Sequence, residues 1–254
     1  MKEVSKPIGL NTAKAAIEEL CTNSVPYEHR RIAPMFMELG SGNGQTTFAR
    51  YAAYMLLKHK VRQIVGLTTY LEFTVDARKD QMQIMFGDIA SAAKGVNHFE
   101  GVILLDVSAL CECVREDQTN YFLEKIRDVA KYAVVIFCIS PAKVRNLNKR
   151  NELKEKLETT FSDLRTVEVE PYTNTELVRM VLMKLDDYGI DVEDDTAEKL
   201  EQIIAVTTLT CARETETIAE TLASYAQVNR FSAVLDSYAL EKAFPIIYSK
   251  GVAL

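Results

Sequence analysis

The sequence predicts an α/β fold: a mainly parallel, five-stranded sheet layered between helices, followed by a small all-helical module. Three observations carry that prediction. Up to residue 170, short apolar runs alternate with segments of helical period, the pattern of βαβ units. Two of the runs, Val102-Ile103-Leu104-Leu105 and Val134-Val135-Ile136-Phe137-Cys138-Ile139, are continuously apolar, as strands buried on both faces are. After Pro171 the period is helical throughout.

Taken in order, Met35-Phe36-Met37-Glu38-Leu39 is the first strand and ends on glycines. Phe48, Ala52, Met55 and Leu56 then share one side of a helix over 46–57. Gln63-Ile64-Val65-Gly66-Leu67 reads as the second strand, and residues 82–93 return to helical period. The Val102 run is the third strand. An amphipathic helix over 121–129 follows it, with Phe122, Ile126 and Val129 on one face. The Val134 run is the fourth strand, stopped by Ser140-Pro141. A polar helix over 151–157 and the strand Arg165-Thr166-Val167-Glu168-Val169 complete the α/β part. Beyond it, four sets share helical faces: Leu177, Met180, Val181, Leu185; Ala197, Leu200, Ile203, Ile204; Ile218, Leu222, Tyr225; and Leu235, Tyr238, Ala239. Gly189 after Tyr188 sits where a helix C-cap glycine belongs. The expected domains are 1–170 and 171–254.

Composition narrows the class. The 254 residues are 48% hydrophobic and 26% charged, enough apolar material for a core. No apolar run approaches the roughly 20 residues that cross a bilayer, and residues 1–20 carry charges throughout with no signal core. The five cysteines are odd in number and scattered, which suits reduced thiols and a cytoplasmic location. Cys111 and Cys113 could hold a metal, but His29, His59 and His98 supply no ligand-like spacing for the rest of a four-ligand site. The net charge of −6 is uneven: residues 1–170 carry net +1 and residues 171–254 net −7. So acidic a C-terminal part is unsuited to nonspecific duplex binding.

Glycine is scarce, ten residues in all, yet three fall at Gly40, Gly42 and Gly44. They lie in Leu39-Gly40-Ser41-Gly42-Asn43-Gly44-Gln45-Thr46-Thr47, between the first strand and the first helix of the sheet. That is the place for a phosphate-binding loop, where backbone N–H groups and a helix N-terminus converge on an anion. A working loop also carries a Lys for the β- and γ-phosphates and a Ser/Thr for Mg²⁺. Here Gln45 holds the lysine position, Thr46 the hydroxyl position, and Leu39 replaces the first glycine. A plain glycine-rich turn would use the same residues. The third strand ends in Asp106, placed as a carboxylate that holds Mg²⁺ through water.

In that order of motifs the chain resembles the AAA+ ATPases, and within them the CbxX-type branch of red-type Rubisco activases and a sporulation protein. Gly9-Leu10, Lys14 and Ile17-Glu18-Glu19-Leu20 are similar to that group's opening segment. The stretch from Gly42 to Arg50 resembles its Gly-Thr-Gly-Lys-Thr-Thr-Val-Ala-Arg, and Gly101-Val102-Ile103-Leu104-Leu105-Asp106 its Walker B strand. Tyr172-Thr173, with Glu176-Leu177, is similar to the entry of its helical lid, and Ala212-Arg213 to its sensor 2 arginine. The resemblance implies a three-layer αβα P-loop domain with a lid. It also implies a nucleotide site from Gly40, Gly42, Asn43, Gly44, Gln45, Thr46, Thr47, Asp106 and Arg213. ATP or ADP would bind there with Mg²⁺ on Thr46 and Asp106, in a homo- or hetero-oligomer of AAA+ subunits.

This chain departs from the family's pattern at three charged positions. The loop lysine is Gln45, the Walker B glutamate is Val107, and Thr160, not arginine, precedes Phe161 at the arginine-finger position. A hydrogen bond to a charged group is worth about 1.5–3 kcal/mol, so losing the lysine weakens ATP binding roughly 10- to 150-fold. An arginine finger is worth about 10³–10⁵ in rate. The expectation is therefore a degenerate member: a pseudo-ATPase scaffold or regulatory subunit that binds nucleotide weakly or not at all. Two alternatives stay open: a slowly hydrolysing remodelling ATPase, and a nucleic-acid-linked loader using the basic stretch Lys143, Arg145, Lys149, Arg150, Lys154 and Lys156. A solvated helix face is the commoner fate of such a stretch. Tyr51, Tyr54 and Tyr70 suit packing better than base stacking.

Overall fold

The computed structural model describes residues 6–23, 32–61, 68–93, 98–113, 115–207, 209, 211–228 and 233–252. The chain divides into two compact units. One comprises residues 1–41 with 45–170, the other residues 42–44 with 171–254.

The first unit alternates helix and strand. In chain order it holds α1 (Asn11–Asn23), β1 (Met35–Glu38), α2 (Gln45–Lys58), β2 (Tyr70–Thr74), α3 (Lys79–Ala92) and β3 (Val102–Asp106). The short α4 (Ser108–Cys111) follows, then α5 (Glu116–Val129), β4 (Val134–Ile139), α6 (Leu147–Thr160) and β5 (Arg165–Val167). The strands form one five-stranded sheet in the order β2-β3-β4-β1-β5, and every pairing is parallel. Parallel strands need long crossovers, and the helices supply them. Every residue of β3 and β4 is buried, which is why both runs are apolar from end to end. One core cluster joins Phe122, Phe137 and Phe161 to Ile103, Leu105 and Val135. The Phe137 ring packs against those of Phe161 and Phe122 at 5.6 and 6.4 Å between centroids.

Parallel register places the strand ends on one edge. Glu38 is opposite Ile139, and Asp106 is opposite both Cys138 and Thr74. The segments leaving this edge are the glycine loop, α4 and residues 140–146. Ligands of open α/β sheets bind outside this carboxyl edge.

The described second strand is β2, at Tyr70–Thr74. The expected strand at Gln63–Leu67 lies outside the described residues. β2 is an edge strand with no fully buried residue and Glu72 at its centre, so it lacks the apolar run of its neighbours.

The second unit contains α7 (Asn174–Asp187), β6 (Ile190–Val192), α8 (Asp194–Val206), α9 (Glu214–Ala223), β7 (Gln227–Val228), β8 (Ala233–Leu235) and α10 (Ser237–Val252). Thr173 caps α7 in a capping box: its side chain accepts from the Glu176 N–H at 3.2 Å while Glu176 accepts from the Thr173 N–H at 2.9 Å. Gly189, at φ +70°, ends the helix and turns the chain into β6. Val181, Leu185, Leu200, Leu222, Leu235 and Leu240 are fully buried in this unit's own core.

The expectation of an all-helical module needs correction. β8 pairs with β6 in parallel and with β7 antiparallel, and Leu235 belongs to that small sheet, not to a helix. Strands of two or three residues are too short to display alternation in sequence.

Candidate functional site

The glycine loop joins β1 to α2. Gly42 and Gly44 hold φ of +86° and +85°, backbone that L side chains rarely adopt, so glycine is required at both. Gly40 is half-buried, and Thr47 is exposed on the first turn of α2.

Gln45 is 6% exposed, and its Nε2 donates to the carbonyl oxygen of Leu39 at 2.6 Å. The amide at the lysine position thus turns back onto the start of its own loop. Leu39, where the pattern wants glycine, is itself buried, and its N–H donates to Ile139 O at 2.9 Å. The Thr46 hydroxyl donates to Glu72 Oε2 on β2 at 2.6 Å.

Asp106 is 4% exposed at the end of β3. One oxygen accepts from the Ser108 N–H at 3.0 Å and the Ser108 hydroxyl at 2.5 Å; the other accepts from Lys143 Nζ at 2.7 Å. Burial alone would raise the Asp106 pKa. The Lys143 and Ser108 donors outweigh burial and hold it below the usual carboxylate value. Ser108 Oγ in turn accepts from the Ser140 N–H at 2.9 Å, tying the end of β3 to the end of β4. Val107, at the glutamate position, is fully buried and carries no charge. The Thr160 hydroxyl donates to Lys156 O one turn back in α6, leaving no charged group at the arginine-finger position.

Residues 42–44 group with the second unit. The Arg213 N–H donates to Gly42 O at 2.9 Å, the Ala212 N–H to Asn43 Oδ1 at 2.9 Å, and the Tyr172 hydroxyl to Asn43 O at 2.9 Å. A Cβ on Gly42 would meet Cys211 Sγ at 3.1 Å and Arg213 Cβ at 3.3 Å. Arg213 is the N-cap residue of α9, is exposed, and makes no side-chain capping bond.

Thus Gln45, Thr46 and Asp106 each have a protein partner in the first unit, and Asn43 has its partners in the second. Sequence reasoning missed three of those partners: Glu72, Ser108 and Lys143. Glu72 stood in an unrecognised edge strand. Lys143 was counted within the basic stretch. The available signal was chemical, since a buried strand-end aspartate demands a cation and a lysine follows the next strand.

The rest of the basic stretch is also largely paired. Lys149 meets Glu112, Arg150 meets Glu38 at 2.7 Å, Lys154 meets Glu158 at 3.7 Å, and Lys156 meets Glu116 at 3.7 Å. The buried Tyr51 donates its hydroxyl to the half-buried Glu18, and Arg50 stacks over Tyr70 at 5.5 Å. All five cysteines are free thiols. Among the described residues no helix is long and apolar enough to cross a membrane.

No family model matches the chain, and no curated protein matches it in sequence. Solved structures do match in fold. The Thermotoga maritima RuvB Holliday junction branch migration motor aligns with a TM-score of 0.60 at 14% identity, covering 94% of this chain and 70% of that one. Domain III of the Thermotoga maritima replication initiation protein DnaA aligns with a TM-score of 0.60 at 13% identity, covering 99% and 95%. C. elegans PCH-2 aligns with a TM-score of 0.58 at 13% identity, covering 95% and 68%. These are AAA+ proteins, and the fold of this chain is the AAA+ fold.

Proposed function

We propose that this chain is a degenerate AAA+ subunit of the CbxX type: a cytoplasmic pseudo-ATPase that assembles with itself or with an active AAA+ partner as a scaffold or regulator. Residues 1–170 form its P-loop-like domain and residues 171–254 its lid. The observation that carries the reading is the buried Gln45 amide bonded to Leu39 O. A P-loop needs a cationic donor reaching outward to phosphate. Here the donor is neutral and already engaged by the loop's own backbone.

The residues fit Mg²⁺-ATP poorly for a second reason. Thr46 and Asp106, the expected metal holders, are bonded to Glu72 and Lys143. Were nucleotide to bind, Mg²⁺ would supply charge neutralisation at the phosphates, and these two side chains would have to exchange partners to hold it. Val107 and Thr160 offer neither a base for water nor a charge for the transition state. Glycine N–H groups remain as neutral phosphate donors, which leaves room for weak binding without turnover.

Calorimetric titration with ATP and Mg²⁺ tests this reading. Wild type should show weak or no binding and no steady hydrolysis, and Gln45→Lys should bind roughly 10- to 150-fold more tightly than wild type. Tight wild-type binding with turnover would instead establish the slowly hydrolysing alternative. The basic stretch lends little support to a nucleic-acid-linked loader, because most of its cations already face carboxylates.

A further inference from the structure

We infer that the Lys143 ε-ammonium is a built-in counter-ion standing in for the divalent cation at the carboxyl edge of the sheet, so that this edge is complete without metal. The inference rests on reading the cluster as a former nucleotide site, and it concerns what now holds that site together.

Asp106 ends a strand whose every residue is buried, and its own side chain is 6% exposed. A carboxylate in that setting stays ionised only if a cation and hydrogen-bond donors answer it. In an ATPase of this fold the cation is Mg²⁺, shared with the loop hydroxyl and the phosphates. Here the charge comes from the chain. Lys143 Nζ lies 2.7 Å from Oδ2, while Oδ1 takes both donors of Ser108.

The ammonium reaches Asp106 because the backbone is shaped to deliver it. After β4, the Lys143 and Val144 N–H groups both donate to Ser140 O, at 3.1 and 2.9 Å, forming a tight turn directly beyond the strand. Val144 is 1% exposed and anchors that turn in the core. Ser108 Oγ accepts from the Ser140 N–H, fixing the turn's first residue to the Asp106 partner. Strand end, serine bridge, turn and lysine form one closed circuit around a single carboxylate. Lys143 itself is 48% exposed along its side chain, so its stem reaches in from solvent.

The loop hydroxyl has lost its metal role in the same way. Thr46 donates to Glu72, a second carboxylate, on the strand beside β3. Neither group expected to share a metal is left to receive one.

Thermal unfolding of wild type, Lys143→Ala and Lys143→Ala/Asp106→Asn tests the assignment. Each is measured in Mg²⁺ and in NaCl of equal ionic strength. Lys143→Ala should lower Tm by about 4–10 °C, the effect of stranding a buried charge in a chain of this size. The double variant should recover part of that loss, because the stranded charge is gone. Mg²⁺ should raise the Tm of Lys143→Ala and leave wild type and the double variant unmoved. A Lys143→Ala protein as stable as wild type would overturn the inference. So would Mg²⁺ stabilising wild type as much as the single variant, or failing to stabilise the single variant beyond NaCl. Should Lys143→Ala not fold, recovery of folding in the double variant supports the ion pair, and its absence rejects it. Tight ATP binding with steady turnover by wild type would defeat the pseudo-ATPase reading without removing this coupling, so the two failures are distinguishable.

Discussion

A carboxylate that is 4% exposed needs its charge answered, and Asp106 meets that need from its own chain. Its pKa lies below the usual 3.8 because the donors overcome burial. A group titrating lower in the folded than in the unfolded chain adds stability above its unfolded value and loses it as pH falls through the folded one. Asp106 should therefore contribute fully at neutral pH and lose its contribution only below about pH 3.8. Removing the Lys143 ammonium raises the carboxyl's pKa, so Lys143→Ala should unfold at a higher pH than wild type during acidification. Acid titration followed by circular dichroism checks this, and coincident acid midpoints would contradict it. At this scale the sequence was informative about absence: Gln45, Val107 and Thr160 announce missing charges by residue type alone. It was silent about replacement, because 37 residues separate Asp106 from Lys143 and only the pairing of β3 with β4 brings them together.

Among elements, the loop between β1 and α2 is the most constrained. Gly42 is held at φ +86°, and a Cβ there would also press on Cys211 Sγ and Arg213 Cβ. Gly42→Ala should cost about 1–2 kcal/mol from backbone handedness alone, with the contacts adding to it. Gly87, which has open space around a would-be Cβ and lies within α3, should gain from the same change. Urea denaturation of the two variants checks the contrast, and equal effects would argue against the loop geometry. The central strands were readable because burial on both faces writes an unbroken apolar run. β2 was not, since an edge strand with half-exposed residues and Glu72 at its centre follows no such rule. The small sheet of β6, β8 and β7 was hidden for a different reason, its brevity.

For the whole molecule, two cores matter more than the motifs. Each unit has its own cluster of buried side chains, one around Phe122, Phe137 and Phe161, the other around Val181, Leu185 and Leu222. Amides deep in a parallel sheet open only with the unit that contains them. Native-state hydrogen exchange should therefore find its slowest amides of the first unit in β3 and β4, with β2 and β5 faster at the sheet edges. Uniform protection across all five strands would contradict that order. The order of elements and the alternation of strand with helix were legible from composition and period, and they predicted a parallel α/β sheet; the likeness to the AAA+ fold came from the order of motifs, and solved structures of that fold match at 13–14% identity. Chemistry was less legible because it depends on which side chain turns toward which, and parallel pairing decides that across long sequence gaps.

The lysine at the sheet edge has one more consequence. A magnesium ion is shared property: it comes and goes with nucleotide, competes with other cations, and is stripped by a chelator. An ammonium on a tether does none of this. Its local concentration is fixed by four methylene groups, whatever the cell holds free. If the chain assembles with AAA+ subunits as proposed, a neighbour that reads its partner's state from the comings and goings of a metal meets here a setting held by the chain itself, a fixed stop among moving parts.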